Sequence, residues 1–289
     1  MAFRSDAVRD FFRRLEEEGV PWIRERTVPV YALDAARNIP LAHGTGVLLK
    51  IAGVGFLLSA AHVLRRRKTH TLLVFPTDSN KAINLNTMHM RVSRDERFVD
   101  VGIARLTPEG LAAIERHRPF LGLEHLELTD VPPPEGWYSV CGYPGSLTDE
   151  DLPAQVVTST ALYYCSELRG KPLASAIEGL TIAFDFAAES VDSDGEDADV
   201  PEPGGISGCG MWRMHARGSN SDEWSPASLR LVGIQHSVVS NSRKVPMAFR
   251  GTRIHCVVAW IWQEFEDMRA EIDRFAPGLG PRFTGPGQA

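Results

Sequence analysis

The stretch PEPGGISGCGMW (residues 201–212) sets one serine, Ser207, among Gly204, Gly205, Gly208 and Gly210, behind two prolines. Glycine at that density marks backbone that must take shapes a side chain would block. A serine hydroxyl is a weak nucleophile until a base removes its proton, and that base must be oriented by a third group. The chain offers both. His62 sits in FLLSAAHVL, where an apolar strand runs into small residues and then the histidine, so that the strand fixes its direction. Asp100 heads DVGIARL, where a carboxylate is costly to bury unless paired. Such an Asp can hold one imidazole nitrogen as a donor and leave the other to take the serine proton. Each residue alone has an ordinary structural explanation. Their order, His62 then Asp100 then Ser207, and their flanking patterns point together to nucleophilic hydrolysis.

Elements able to hold three such distant side chains are legible around them. Residues 6–19 pattern as an amphipathic helix, capped by Ser5, with Val8, Phe11, Phe12 and Leu15 on one face. From about residue 28 the chain turns to short strands, expected at 27–33, 44–51, 54–60, 69–76 and 100–106. The proline cluster TDVPPPEG (129–136) marks a boundary. Further strands are expected at 136–143, 154–164, 179–186, 229–237 and 251–258, then a helix over 257–274. Many short strands separated by turn signals predict an all-β architecture of sandwiches or barrels. Four units follow: an N-terminal helical extension (1–27), a first β domain (28–128), a second with the closing helix (129–275), and a Pro/Gly-rich tail (276–289) expected to be disordered.

Bulk properties exclude several classes. With 289 residues, 43% hydrophobic and 24% charged, the chain reads as an ordinary globular protein able to bury a large core. A net charge of −6 argues against nucleic-acid binding. No apolar run reaches the ~20 residues of a membrane span, and the charged N-terminus has no signal-peptide core; a cytoplasmic location is expected. Cys141, Cys165, Cys209 and Cys256 form no Cys-x-x-Cys pair and suggest neither a metal site nor a disulfide framework. Residues 189–202 (ESVDSDGEDADVPE) are strongly acidic and read as a solvated loop or, being just upstream of Ser207, as a selector of basic partners.

Several of these motifs resemble those of trypsin-like, chymotrypsin-fold serine peptidases. SAAHV is similar to that family's Thr/Ser-Ala-Ala-His, DVGIARL to its Asp-Ile-Ala-Leu strand, and GGISGCG to its Gly-Asp-Ser-Gly-Gly. RLVGIQHS resembles the strand after the nucleophile, and GTRIHCVVAWIWQEF the last strand and C-terminal helix. The resemblance spans roughly residues 28–266. It implies two packed antiparallel six-stranded β-barrels with the active site between them. Ser207 would be nucleophile, His62 general acid–base, Asp100 orienter, and the amides of Gly205 and Ser207 the oxyanion hole. His236 and Ser237 would line the substrate groove, either as wall residues or recognising an acidic or polar side chain.

The chain departs from that pattern at two places. Ile206 stands where family members activated by cleavage carry an Asp, so activity without N-terminal trimming is expected, as in non-zymogen bacterial-type relatives. Cys209 replaces a glycine and offers a rival nucleophile, as in viral cysteine peptidases of the same fold. The resemblance thus implies a serine endopeptidase acting on protein or peptide substrates, without metal or organic cofactor, and controlled by a regulatory protein partner. A peptide-binding or regulatory module with little turnover is the alternative.

Overall fold

The computed structural model describes residues 6–34, 36, 39–76, 81–93, 99–129, 136–149, 157–158, 161–165, 177, 179–185, 190–191, 197–198, 201–216, 224–240 and 246–282. Most of the core is β. The first sheet comprises β1 (Thr27–Asp34), β2 (Ile39–Ile51), β3 (Val54–Ser59), β4 (Thr71–Val74), β5 (Ile83–Asn84), β6 (His89–Val92) and β7 (Gly102–Arg105). Its order is β5-β4-β1-β2-β3-β7-β6, with every pairing antiparallel. Next come β8 (Gly136–Gly142), the short pair β9 (Thr148–Asp149) and β10 (Val157–Thr158), β11 (Ala161–Cys165) and β12 (Thr181–Asp185). A second short pair, β13 (Ser190–Val191) and β14 (Asp197–Ala198), precedes β15 (Gly210–Ala216), β16 (Arg230–Ser240) and β17 (Pro246–Arg253). The second large sheet runs β11-β8-β15-β16-β17-β12, again antiparallel throughout. The two six-stranded barrels expected from sequence are thus found as two antiparallel sheets, of seven and six strands.

One apolar cluster ties the sheets together. Val47 and Leu49 of β2, Cys141 of β8, Trp212 of β15 and Leu231 and Ile234 of β16 all belong to it. The N-terminal helices α1 (Asp6–Arg14) and α2 (Val20–Glu25) flank a π-helical turn, Leu15–Gly19. Phe11, Phe12 and Leu15 are buried in the same cluster, as their shared helical face requires. Phe11 meets Trp224 edge-on at 5.6 Å and Phe12 meets Trp137 at 5.1 Å, while Arg14 donates to the Trp224 carbonyl at 2.6 Å.

Helix α3 (Ala61–Arg65) carries His62 directly out of β3, and the basic run Arg66–Lys68 forms one 3₁₀ turn after it. Helix α4 (Pro108–Glu115) was not expected, although its start is written in the sequence. Thr107 caps it by accepting from the Gly110 amide, and Pro108 opens the first turn.

Residues 254–258 differ from expectation. Instead of continuing a strand, the chain starts α5 (Ile254–Glu264) there. Ile254, Val257, Val258 and Ile261 are all buried at i, i+3, i+4 and i+7, a helical spacing that outweighs their β-branched character. Helix α6 (Arg269–Phe275) follows, and then α7 (Leu279–Arg282) falls within the tail expected to be disordered. Leu279 packs on the main cluster and Gly280 lies against the Trp262 ring, so this part of the tail has an apolar anchor. The expected cap Ser5 and the last residues, 283–289, lie outside the described residues, as does most of the acidic segment. Among the described residues no helix is long and apolar enough to cross a membrane.

Candidate active site

His62 and Asp100 meet although 38 residues apart. Strand β3 pairs with β7 through Ser59 and Gly102, which brings the end of one beside the start of the other. The Asp100 carboxylate then accepts twice from the same residue. Oδ1 accepts the His62 backbone N–H at 3.0 Å, and Oδ2 lies 2.6 Å from the ring Nδ1. Gly102 makes this closeness possible, since a Cβ there would sit 2.8 Å from the Leu64 side chain. Burial by itself pushes the Asp100 carboxyl up. The hydrogen bonds and charge of His62, helped by His236, outweigh it and hold the group below the ordinary carboxylate value. Asp100 is 6% exposed while the His62 side chain is 38% exposed, so the ring is anchored from behind and open in front.

The serine turn packs against the same place. The Thr45 amide on β2 donates to the Ser207 carbonyl at 2.8 Å. Gly208 has φ of +94°, and a Cβ there would lie 2.1 Å from the Thr45 carbonyl, 2.2 Å from Ser59 Oγ and 2.9 Å from the Ala60 nitrogen. Only glycine fits both that backbone shape and that space. Ser207 is therefore locked by its neighbour to the two residues that lead into the His62 helix. Gly205, at φ of +92°, is pressed on the other side, where a Cβ would come 2.8 Å from the Gly145 nitrogen.

The amides of this turn divide into two groups. Ile206, Gly208 and Cys209 donate to the carbonyls of Pro203, Gln235 and Ile206. Among the described residues, the Gly205 and Ser207 amides have no acceptor, nor does a hydrogen bond join the Ser207 hydroxyl to the His62 ring. Cys209 is fully buried in the apolar cluster of Ile206, Val140 and Met211. Its Sγ lies 3.3 Å from where a Gly142 Cβ would stand.

His236 is 4% exposed. Burial lowers its pKa to about 4 against the pull of Asp100, so the ring is neutral at neutral pH beside that carboxylate. Its neighbour Ser237 accepts from Arg250 Nε at 2.9 Å. His43, upstream on β2, is likewise lowered to about 4, first by burial and then by Arg66 and His62, and its Nε2 is buried without a partner among the described residues. Burial pushes the Cys141 and Cys256 thiols up to about 12, which makes both poor nucleophiles.

Sequence reasoning missed Thr45. It is fully buried and joins three parts of the site. Its amide holds Ser207, its carbonyl accepts from Ser59 Oγ at 2.6 Å, and its Oγ1 accepts from the Tyr143 amide at 3.1 Å. The signal was GTG (44–46): a Cβ on Gly44 would come 2.6 Å from Val63 and one on Gly46 2.5 Å from Leu57, so small residues flank the threonine where strands crowd.

No family model matches the chain, and no curated protein matches it. Solved structures do. One, from a study of coupled folding and binding of the intrinsically disordered Sesbania mosaic virus VPg protein, aligns at 13% identity and TM-score 0.43, covering 82% of this chain and 89% of its own. Another is the scabies mite inactivated protease paralogue S-I1, at 18% identity and TM-score 0.45, covering 86% of this chain and 96% of its own.

Proposed function

We propose that the protein is a serine endopeptidase with a chymotrypsin-like arrangement, in which Ser207 attacks the peptide carbonyl and forms an acyl-enzyme. The observation that carries this reading is the His62–Asp100 pair. A buried carboxylate gripping both the amide and the ring Nδ1 of one histidine fixes the tautomer that leaves Nε2 as the base. In this reading His62 takes the Ser207 proton, the Gly205 and Ser207 amides receive the developing oxyanion, and His62 then protonates the leaving amine. Oxyanion donors of this kind are each worth roughly 3–4 kcal/mol in the transition state. Deacylation repeats the sequence with water as the nucleophile. Burial of Cys209 in the core supports Ser207 over the rival thiol.

The absence of a Ser207–His62 hydrogen bond among the described residues favours a second reading, a peptide-binding module with little turnover. It is also what an enzyme looks like before substrate tightens its catalytic contacts, and a regulatory partner that settles the serine turn would have the same effect. Turnover of a broad peptide library separates the readings. Cleavage lost in Ser207→Ala and His62→Ala but kept in Cys209→Ala supports the peptidase. Cleavage by none of the proteins, with peptides still bound, supports the module.

A further inference from the structure

Gln235 is the side chain that the triad leaves unused. It is fully buried, and among the described residues neither its Oε1 nor its Nε2 has a hydrogen-bond partner. Buried carboxamides are almost always paired at both ends, because each unpaired end forfeits its hydration without return. Its backbone explains why it cannot move away. The Gln235 amide donates to the Cys209 carbonyl at 2.9 Å, and its carbonyl accepts from the Gly208 amide at 2.8 Å. Gln235 is therefore clamped to the two residues that follow Ser207.

Strand geometry says which way it faces. Gln235 pairs with Gly251 across β16 and β17, and a Cβ on Gly251 would meet Met211 Sδ. That face gathers Cys209, Met211, Val232 and Phe249, all apolar. Arg250, one step from Gly251 on β17, points to the opposite face, and the bulge between Gln235 and Ser237 brings Ser237 onto that face with it. The carboxamide thus stands in apolar surroundings, with the nucleophile turn beside it and the nearby guanidinium across the sheet.

We propose that Gln235 is a specificity-determining residue of this site, selecting substrates whose acyl-side residue carries an uncharged carboxamide, glutamine or asparagine. The inference rests on the hydrolase reading above. His62 must reach the leaving amine, so the leaving residue lies on the His62 side and the acyl residue lies over the second sheet, where Gln235 flanks Ser207. A substrate carboxamide offers one donor group and one acceptor, and pairs head to tail with Gln235 so that both ends are satisfied. A carboxylate offers acceptors alone and leaves Oε1 facing another oxygen. An ammonium offers donors alone, and an alkyl chain satisfies neither end. The described residues gathered on that face, Cys209, Met211, Val232 and Phe249, carry no charge to offset either one.

Two measurements test this. In wild-type protein, kcat/KM for peptides that differ only in the acyl-side residue is expected to favour Gln or Asn over Glu, Lys and Leu by about 10- to 100-fold. In Ser207→Ala protein, fluorescence polarisation with peptides ending in Gln, Glu or Leu reads the same preference without turnover. Gln235→Leu, and separately Gln235→Met, are expected to abolish the Gln preference in the binding assay while melting cooperatively. A flat profile, or one unchanged in both variants, overturns the role of Gln235. A Gln preference in binding with no wild-type turnover keeps the selector and overturns the hydrolase.

Discussion

Replacing Asp100 by Asn is the perturbation whose outcome follows most closely from the geometry. The carboxylate now accepts two hydrogen bonds from one residue, the His62 amide at 3.0 Å and the ring Nδ1 at 2.6 Å. Asparagine keeps only one oxygen. If that oxygen stays on the amide, the new NH₂ faces Nδ1, and the ring must turn its lone pair there and carry its proton on Nε2. The base is then blocked on the side that should serve Ser207. If the oxygen faces Nδ1 instead, the NH₂ opposes the His62 amide, and a buried donor is left unpaired at a cost of about 1–3 kcal/mol. The first arrangement avoids that cost and is expected to prevail. Catalysis through the wrong tautomer falls on the order of 10,000-fold in kcat, or about 5 kcal/mol of barrier. Steady-state kinetics on a cleaved peptide, with a thermal melt alongside, is the assay. A KM near wild type, a cooperative melt and the large loss in kcat are expected. A kcat within tenfold of wild type would refute the role given to Asp100.

Gly208→Ala adds a Cβ that meets the Thr45 carbonyl at 2.1 Å and imposes φ of +94° on an L-residue. Strain and overpacking together should cost about 2–5 kcal/mol, lower the melting temperature and displace Ser207 from His62; a stable, fully active variant would show that the turn is looser than described. In acid, His236 resists protonation in the folded state, with its pKa down from 6.5 to about 4. The unfolded chain takes up that proton first, so stability should fall as pH drops through this window, by on the order of 3 kcal/mol. Asp100 acts lower, since its depressed carboxyl keeps its stabilising effect until pH falls below the ordinary carboxylate range. Denaturant unfolding of wild type and His236→Gln between pH 4 and 7 checks this, and parallel curves would contradict it. Deleting residues 1–19 removes the buried Phe11, Phe12 and Leu15. Loss of a single core Phe costs about 3–5 kcal/mol, so the truncated protein should melt well below wild type and gain no activity; activation on trimming would reverse the non-zymogen reading.

The parts of this molecule that read well from sequence are those where one local pattern had one physical solution. The short apolar runs GTGVLLKI and VGFLLSA, buried on both faces, gave β2 and β3, and the apolar face of Phe11, Phe12 and Leu15 gave a docked helix. At Asp100 the charge at the mouth of a buried strand is paired, with His62. Competing patterns misled at residues 254–258, where β-branched residues suggested a strand while their spacing was helical. Thr45 was hidden for another reason. Its importance lies in its bonds to Ser59, Tyr143, Gly205 and Ser207, and the flanking glycines of GTG mark only the crowding of strands, not those partners. Gln235 could not be read as unpaired from sequence at all, because pairing is a property of surroundings rather than of residue type.

The central claim is that the hydroxyl at 207 is made nucleophilic by the histidine at 62. Treating the full-length protein with a fluorophosphonate and locating the adduct by peptide mass spectrometry tests it most directly. One phosphonyl group on Ser207, absent in Ser207→Ala, strongly slowed in His62→Ala and retained in Cys209→Ala, is the expected result. An unmodified Ser207 in protein that is folded and carries the reagent elsewhere, or labelling indifferent to His62, would contradict it.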